Sequence, residues 1–273
     1  MQTGFVFFKK LNYIIRYGEN VIMKKITVVL PTFNEAENIA EMIRNILALN
    51  IPGMNIIVAD DDSRDGTQQQ VLENFAGDDR VRLFNHPPPH GLSPSVVDAF
   101  DLSDSDLLCC MDADGQHRVE DLPGLLSEFT DPEINIIIGS RYIKNGGFTE
   151  KWRFDRLLTS RGATYLARIF LRVPVKDPMS GFFVIRQAAY KKIRPYLNPS
   201  GFKIALELAW LITISGVGGV SEHPIIFAMR KYGESKLSPR VIMQYLRMLI
   251  SCFCKQRTIK RAMHKKNGQK NNS

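Results

Sequence analysis

The sequence predicts an α/β fold built on a mostly parallel sheet flanked by helices, and three observations carry that expectation. Short apolar runs alternate with stretches of helical periodicity through the first half of the chain. Those runs are apolar at nearly every position, as strands covered on both faces are. Polar, Asp-rich segments follow several of them directly, where the carboxyl ends of parallel strands gather around one crevice.

Taken in order, Ile26 to Leu30, Asn55 to Ala59, Val81 to Phe84, Leu107 to Met111 and Ile134 to Ile138 are the expected strands. Between them a first helix is expected after Asn34 as N-cap, with Ile39, Met42, Ile43, Ile46 and Leu47 on one face. Further helices are expected near Thr67, at Ser93-Pro94 with proline in the first turn, and near Val119. Beyond Ser140 come a loop at Asn145-Gly146-Gly147 and a helical stretch from about Phe154 to Leu171. Helices around Ile204 to Ile214 and from Pro239 to about Lys255 complete the pattern. The last two carry amphipathic or apolar patterning, and Gly216-Val217-Gly218-Gly219 between them reads as a turn. The division this implies is an extension over 1–23, one domain over 24–254 and a basic tail over 255–273.

With 273 residues and 44% apolar side chains the chain has enough material for a sizeable core. Its four cysteines, Cys109, Cys110, Cys252 and Cys254, form neither a disulfide framework nor a zinc pattern, which points to a reducing, cytosolic setting. No stretch approaches the roughly 20 apolar residues needed to span a bilayer. The net charge of +8 is concentrated at the end, because residues 255–273 hold seven Lys and Arg and no acid. Such a tail suits nucleic acid, anionic lipid or solvent; without interleaved aromatics, nucleic acid is disfavoured.

Three polar loops follow expected strands: Pro31 to Glu35, Asp60 to Thr67, and Asp112 to His117. In the third, Asp112 and Asp114 lie one residue apart at the end of an apolar run. Hard oxygen donors in that arrangement suit Mg²⁺ or Mn²⁺ with a diphosphate filling the remaining positions. A dinucleotide fingerprint after the first strand and a P-loop are both missing. His86 and His90 flank three prolines, and the segment is expected to be a stiff loop rather than a metal site.

Pro-Thr-Phe-Asn-Glu at 31–35, Asp-Asp-Asp-Ser-Arg-Asp-Gly-Thr at 60–67 and Asp-Ala-Asp-Gly-Gln-His at 112–117 resemble the family 2 glycosyltransferases of GT-A fold. Gly139-Ser140-Arg141-Tyr142, Ser160-Arg161-Gly162-Ala163, Asp177 to Phe183, Gly201 to Ile204 and Arg230 to Leu237 narrow the likeness to dolichyl-phosphate mannose synthase-like enzymes, over roughly 24–250. The resemblance implies that Pro31, Phe33, Glu35, Asp61 and Asp112 bind the nucleotide, and that Asp112, Asp114 and Gln116 hold Mg²⁺ or Mn²⁺. It further implies catalytic parts for Asp114, Arg141, Arg156 and Arg230, with Arg141, Arg156, Ser160 and Lys236 around the acceptor phosphate. The implied reaction is inverting transfer of a hexose, mannose from GDP-mannose, to a polyprenyl phosphate. It would take place at the cytoplasmic face of a membrane to which the last helix and the tail attach peripherally, without a transmembrane helix. Family members usually carry Gly where Asp62 stands, so Asp62 has to accept a left-handed turn. The competing expectations are a hydroxyl acceptor with Glu207 as general base, and a non-catalytic nucleotide-sugar scaffold.

Overall fold

The computed structural model describes residues 14–17, 20–149, 162, 165–199, 203–229 and 239–270. A seven-stranded sheet runs through the molecule in the order β10-β7-β9-β6-β3-β4-β5. Its members are β3 (Ile26–Thr32), β4 (Met54–Asp60), β5 (Val81–Asn85), β6 (Leu107–Cys110), β7 (Ile134–Ser140), β9 (Phe183–Arg186) and β10 (Gly219–Pro224). Neighbours pair in parallel except β9, which lies antiparallel between β6 and β7. Before the sheet, β1 (Ile14–Tyr17) and β2 (Asn20–Met23) form a separate antiparallel pair. A small parallel pair joins β8 (Gly147–Phe148) to β11 (Ile226–Phe227).

Helices cover both faces, and the side-chain alternation of β3 states which helix goes where. Ile26, Val28 and Leu30 pack with α1 (Ala36–Ala48), α2 (Thr67–Phe75) and α4 (Leu122–Ser127). Val29 points the other way, into a cluster with α3 (Leu92–Asp101), α5 (Gln187–Ile193), α6 (Ile204–Ser215) and α7 (Pro239–Lys270). Every residue of β3 is buried, which is why its sequence is mostly apolar rather than alternating, with the Thr27 and Thr32 hydroxyls hydrogen-bonded inside.

The last helix differs from expectation in two respects. It continues from Pro239 to Lys270, well past Lys255 and through most of the basic run. Its apolar face also divides in two: Tyr245, Met248, Leu249 and Cys252 enter the core, whereas Met243, Leu246, Ile250 and Phe253 are exposed.

Candidate active site

The first two loops hold each other at the carboxyl ends of β3 and β4. Asp60 is fully buried and accepts hydrogen bonds from Thr32 Oγ1, the Ser63 backbone and hydroxyl, and Gln68 Nε2, at 2.6 to 3.0 Å. Asp65 accepts from Ala36 N at 2.9 Å and from Thr67 N at 3.0 Å, joining the first turns of α1 and α2. Burial opposes ionisation of Asp65, but hydrogen bonds from the Thr67 hydroxyl and from the Ala36 and Thr67 N–H groups outweigh it and hold its pKa below the ordinary carboxylate value. Asn34 is therefore not the N-cap of α1; that position belongs to Glu35, and Asn34, at φ 57°, instead accepts a hydrogen bond from Arg64 N. Asp62 sits at φ 62°, so aspartate does supply the left-handed turn.

These contacts leave a distinct surface at the loop tips. Phe33 is 46% exposed, Glu35 is half-buried and accepts from Asn38 Nδ2, and Pro31 is buried at the strand end. Asp61 is approached by two imidazoles, His86 Nδ1 at 3.1 Å and His90 Nδ1 at 3.0 Å. The proline segment is thus a device that returns two histidines to one carboxylate, more than the stiff loop expected from sequence.

The third loop turns at Gly115, whose φ of 74° lets the chain double back so that Gln116 N donates to Asp114 Oδ1. Gln116 also commits its amide nitrogen to Ala228 O at 3.3 Å, so its carbonyl oxygen is the atom suited to a cation. Asp112 packs over Gly181, where any Cβ would overlap its carboxylate; this close approach is what requires glycine in the 177–183 segment. Asp114 is only 6% exposed. Sequence reasoning left His117 without a part. Its ring is buried between Phe182 and Phe227, with Nε2 3.4 Å from Asp112 Oδ2 and neither ring nitrogen in a hydrogen bond. The donor set of Asp112, Asp114 and the Gln116 carbonyl is all oxygen, and the orphaned imidazole beside it leaves polar capacity unused. The oxygen donors are the feature that fits a hard divalent cation.

Arg141 is buried, and its guanidinium grips Asp177 through Nε to Oδ2 at 2.7 Å and Nη2 to Oδ1 at 2.8 Å. Its backbone N–H donates to the same carboxylate at 3.0 Å, while the rings of Phe227, Tyr142 and Phe148 lie 4.9 to 5.9 Å from Cζ. Burial works against the charged arginine, but the Asp177 hydrogen bonds and charge raise its pKa overall. One edge of the guanidinium expected to face phosphate, its Nε and Nη2 N–H groups, is therefore turned to a carboxylate that local sequence patterns do not pair with it.

Lys203, at the start of α6, is a further residue to which sequence reasoning gives no role. Desolvation lowers its pKa, with the charges of Asp112 and Asp177 opposing that shift and Arg141 adding to it, so its ammonium belongs to the electrostatics of this cleft. Glu207, one turn further on, faces elsewhere. It accepts from Asn198 N at 2.8 Å, and burial raises its pKa to about 7 against offsetting effects of that bond and of Lys255 on α7. It is placed as an acid beneath the last helix, away from the base role considered for it. Of the other expected residues, Arg156, Ser160, Arg230 and Lys236 lie outside the described residues.

Residues 27–194 match the model of the family described as glycosyl transferase family 2. The chain is 40% identical over 227 residues to a dolichol-phosphate mannosyltransferase of Pyrococcus furiosus, covering 82% of this chain and 62% of that protein. A protein of the same name from Saccharomyces cerevisiae is 34% identical over 230 residues, with 82% and 85% covered. Among solved structures, glucosyl-3-phosphoglycerate synthase from Mycobacterium tuberculosis, in complex with Mn²⁺, uridine-diphosphate and phosphoglyceric acid, superimposes with a TM-score of 0.62. The two are 18% identical, with 85% and 78% of the chains covered, a likeness that speaks to the fold alone.

Proposed function

The chain belongs to glycosyltransferase family 2, and we propose that it transfers mannose from GDP-mannose, with inversion, to the phosphate of a dolichyl-type polyprenyl lipid. What carries this reading is the oxygen-only loop of Asp112, Asp114 and Gln116 at the end of β6, set in a chain whose relatives are named for mannosyl transfer to dolichol phosphate.

In this mechanism the exposed Phe33 ring and Asp61 receive the base, with Pro31 and Glu35 shaping the ribose side. Asp112, Asp114 and Gln116 would hold Mg²⁺ or Mn²⁺, which when bound neutralises charge on the departing diphosphate. The nucleophile is an acceptor phosphate oxygen that is already anionic, so no protein group has to remove a proton. That fits the placement of Glu207 beneath α7. The obstacle is the meeting of two anions: one pair of like charges at ~4 Å costs about 4 kcal/mol at an effective dielectric of 20. Lys203, Arg156, Ser160, Arg230 and Lys236 are assigned to the phosphates, and Arg141 to the same field from behind its ion pair with Asp177.

We assign the enzyme to the cytoplasmic surface of a membrane as a peripheral protein. Among the described residues no helix is long and apolar enough to cross one. Ile169 and Phe170 join Phe253 at an open groove of about 700 Å³ that Arg172, Arg257 and Lys260 also line. An apolar strip edged with cations suits an interface of acyl chains and anionic headgroups. The core unit is residues 24–254, with 1–23 an extension and 255–273 the basic segment.

The test is a panel of nucleotide sugars incubated with a short polyprenyl phosphate, the lipid product read by mass spectrometry with wild type and Asp114→Asn. Asparagine is chosen because Asp114 is buried and accepts the Gln116 N–H, so alanine would also loosen the turn. Hexosyl lipid formed from GDP-mannose by wild type and lost in Asp114→Asn is the expected result. Transfer only to a hydroxyl acceptor, or undiminished transfer by Asp114→Asn in excess chelator, would overturn it.

A further inference from the structure

The two histidines at Asp61 contain a conflict of hydrogen-bond valence. His86 Nδ1 faces Asp61 Oδ1 at 3.1 Å, and on the opposite side of the ring Nε2 faces Asp98 Oδ2 at 3.2 Å. A neutral imidazole has one N–H to give. Given to Asp98, it leaves the Nδ1 lone pair pointing at the lone pairs of Asp61; given to Asp61, it moves the repulsion to Asp98. Both contacts are attractive only when a cation, proton or metal, fills the remaining gap. His90 brings a third group, with Nδ1 at 3.0 Å from the same Asp61 oxygen. One atom from each of Asp61, His86 and His90 lies within 4.8 Å of the other two.

From this arrangement we infer that Asp61, His86 and His90 form a three-ligand site for a divalent transition cation of the Zn²⁺ class. Two imidazole nitrogens and one carboxylate oxygen are the donor set such ions take, with the fourth position left open. Tetrahedral zinc with bonds near 2.1 Å places its ligand atoms about 3.4 Å apart. The two separations of 3.0 and 3.1 Å therefore need to open by only a few tenths of an ångström. Asp98 completes the pattern, since a metal-bound histidine commonly donates its other N–H to a carboxylate that fixes the tautomer.

The site is also held in place. The His86 side chain is 1% exposed and its backbone N–H donates to Asp60 O at 2.7 Å, while Pro87, Pro88 and Pro89 limit the paths by which His90 returns. It is not the oxygen site at Asp112: β4 and β6 are separated by β3, which at 4.7 to 4.9 Å per strand places their ends about 9 to 10 Å apart. Mg²⁺ and Mn²⁺ suit the all-oxygen loop, and the nitrogen-rich group takes a softer ion. A cation there engages the carboxylate that the proposed function gives to the nucleobase, so it opposes donor binding. That consequence rests on the proposed function, and the ion site itself does not.

The experiment is titration of the full chain with Co²⁺, a visible-absorbing stand-in for Zn²⁺, in a Cys254→Ser background that removes the exposed thiol as a competing ligand. One equivalent should bind with a d–d band of low coordination number, displaced by Zn²⁺. His90→Gln, at an exposed position that does not threaten the fold, should weaken binding by at least ten-fold. Asp98→Asn should weaken it by roughly 10- to 100-fold, as loss of an outer carboxylate does. Asp112→Asn should leave it unchanged. No Co²⁺ or Zn²⁺ binding at millimolar concentration, or wild-type affinity in His90→Gln, overturns the site. In a parallel binding assay Zn²⁺ should raise the Kd for GDP-mannose in the parent but not in His90→Gln. Absence of that effect with the Co²⁺ site intact removes the antagonism with donor and not the metal site.

Discussion

Replacing Asp177 by Asn removes a charge that is completely buried and leaves the Arg141 guanidinium without its counter-ion at 8% exposure. Breaking a buried pair from one side costs about 3 to 5 kcal/mol, because the remaining charge is desolvated and uncompensated. The geometry supports the same size, since two charge-assisted hydrogen bonds at 2.7 and 2.8 Å are at stake, each worth roughly 1.5 to 3 kcal/mol. The aromatic rings around Arg141 moderate the loss without replacing it, at about 0.5 to 2 kcal/mol per cation–π contact. Urea titration followed through the fluorescence of the buried Trp210 is the assay. With a slope of about 3 kcal/mol per molar, suited to a chain of this length, the midpoint should fall by roughly 1 to 1.7 M. Arg141→Gln combined with Asp177→Asn should cost much less than the sum of the two single changes. Additive effects, or a single-variant cost below 1 kcal/mol with an unchanged slope, would refute the ion pair as a source of stability. The result also governs how activity is read: Arg141→Ala leaves Asp177 buried without its counter-ion, so kcat of that variant has to be set against its folded fraction.

Glu207→Gln should flatten the dependence of stability on pH. Its folded pKa of about 7 stands above the ordinary 4.5, so the folded chain binds the extra proton; that stability is complete below about pH 4.5 and is lost as pH rises through 7. The span corresponds to roughly 3 kcal/mol, and parallel ΔG–pH curves for variant and wild type from urea titrations would show that burial of this carboxyl is not the cause. At the membrane face, truncation after Cys254 should weaken binding to anionic vesicles by about 1 kcal/mol per cation removed near the surface. That effect should fade with added salt, whereas Ile250→Asp with Phe253→Asp should weaken binding at every salt concentration. Vesicle sedimentation separates the two, and equal binding by all three proteins would leave the exposed apolar strip without a membrane role.

The strands were legible because burial on both faces is a property each residue declares locally: Ile26 to Leu30 is apolar at every position but Thr27, whichever strands flank it. The loops were legible as a group for a related reason, since parallel strands deliver their carboxyl ends to one side. Pairing among those loops was not legible. Asn34 has the composition of an N-cap, yet Asp65, from the neighbouring loop, accepts the Ala36 N–H. Arg141 has the composition of a phosphate ligand, yet Asp177 returns beside it on the segment leading into the antiparallel β9. His86 and His90 follow β5 and Asp61 follows β4, two strands that are neighbours only because of the sheet order. In each case the residue type was right for a charged or polar partner and the partner was supplied by strand adjacency, which local periodicity does not encode. His117 marks the limit from the other side: both its ring nitrogens lack a hydrogen-bond partner although Asp112 lies alongside, and nothing in the order of residues 112–117 announces a buried imidazole there.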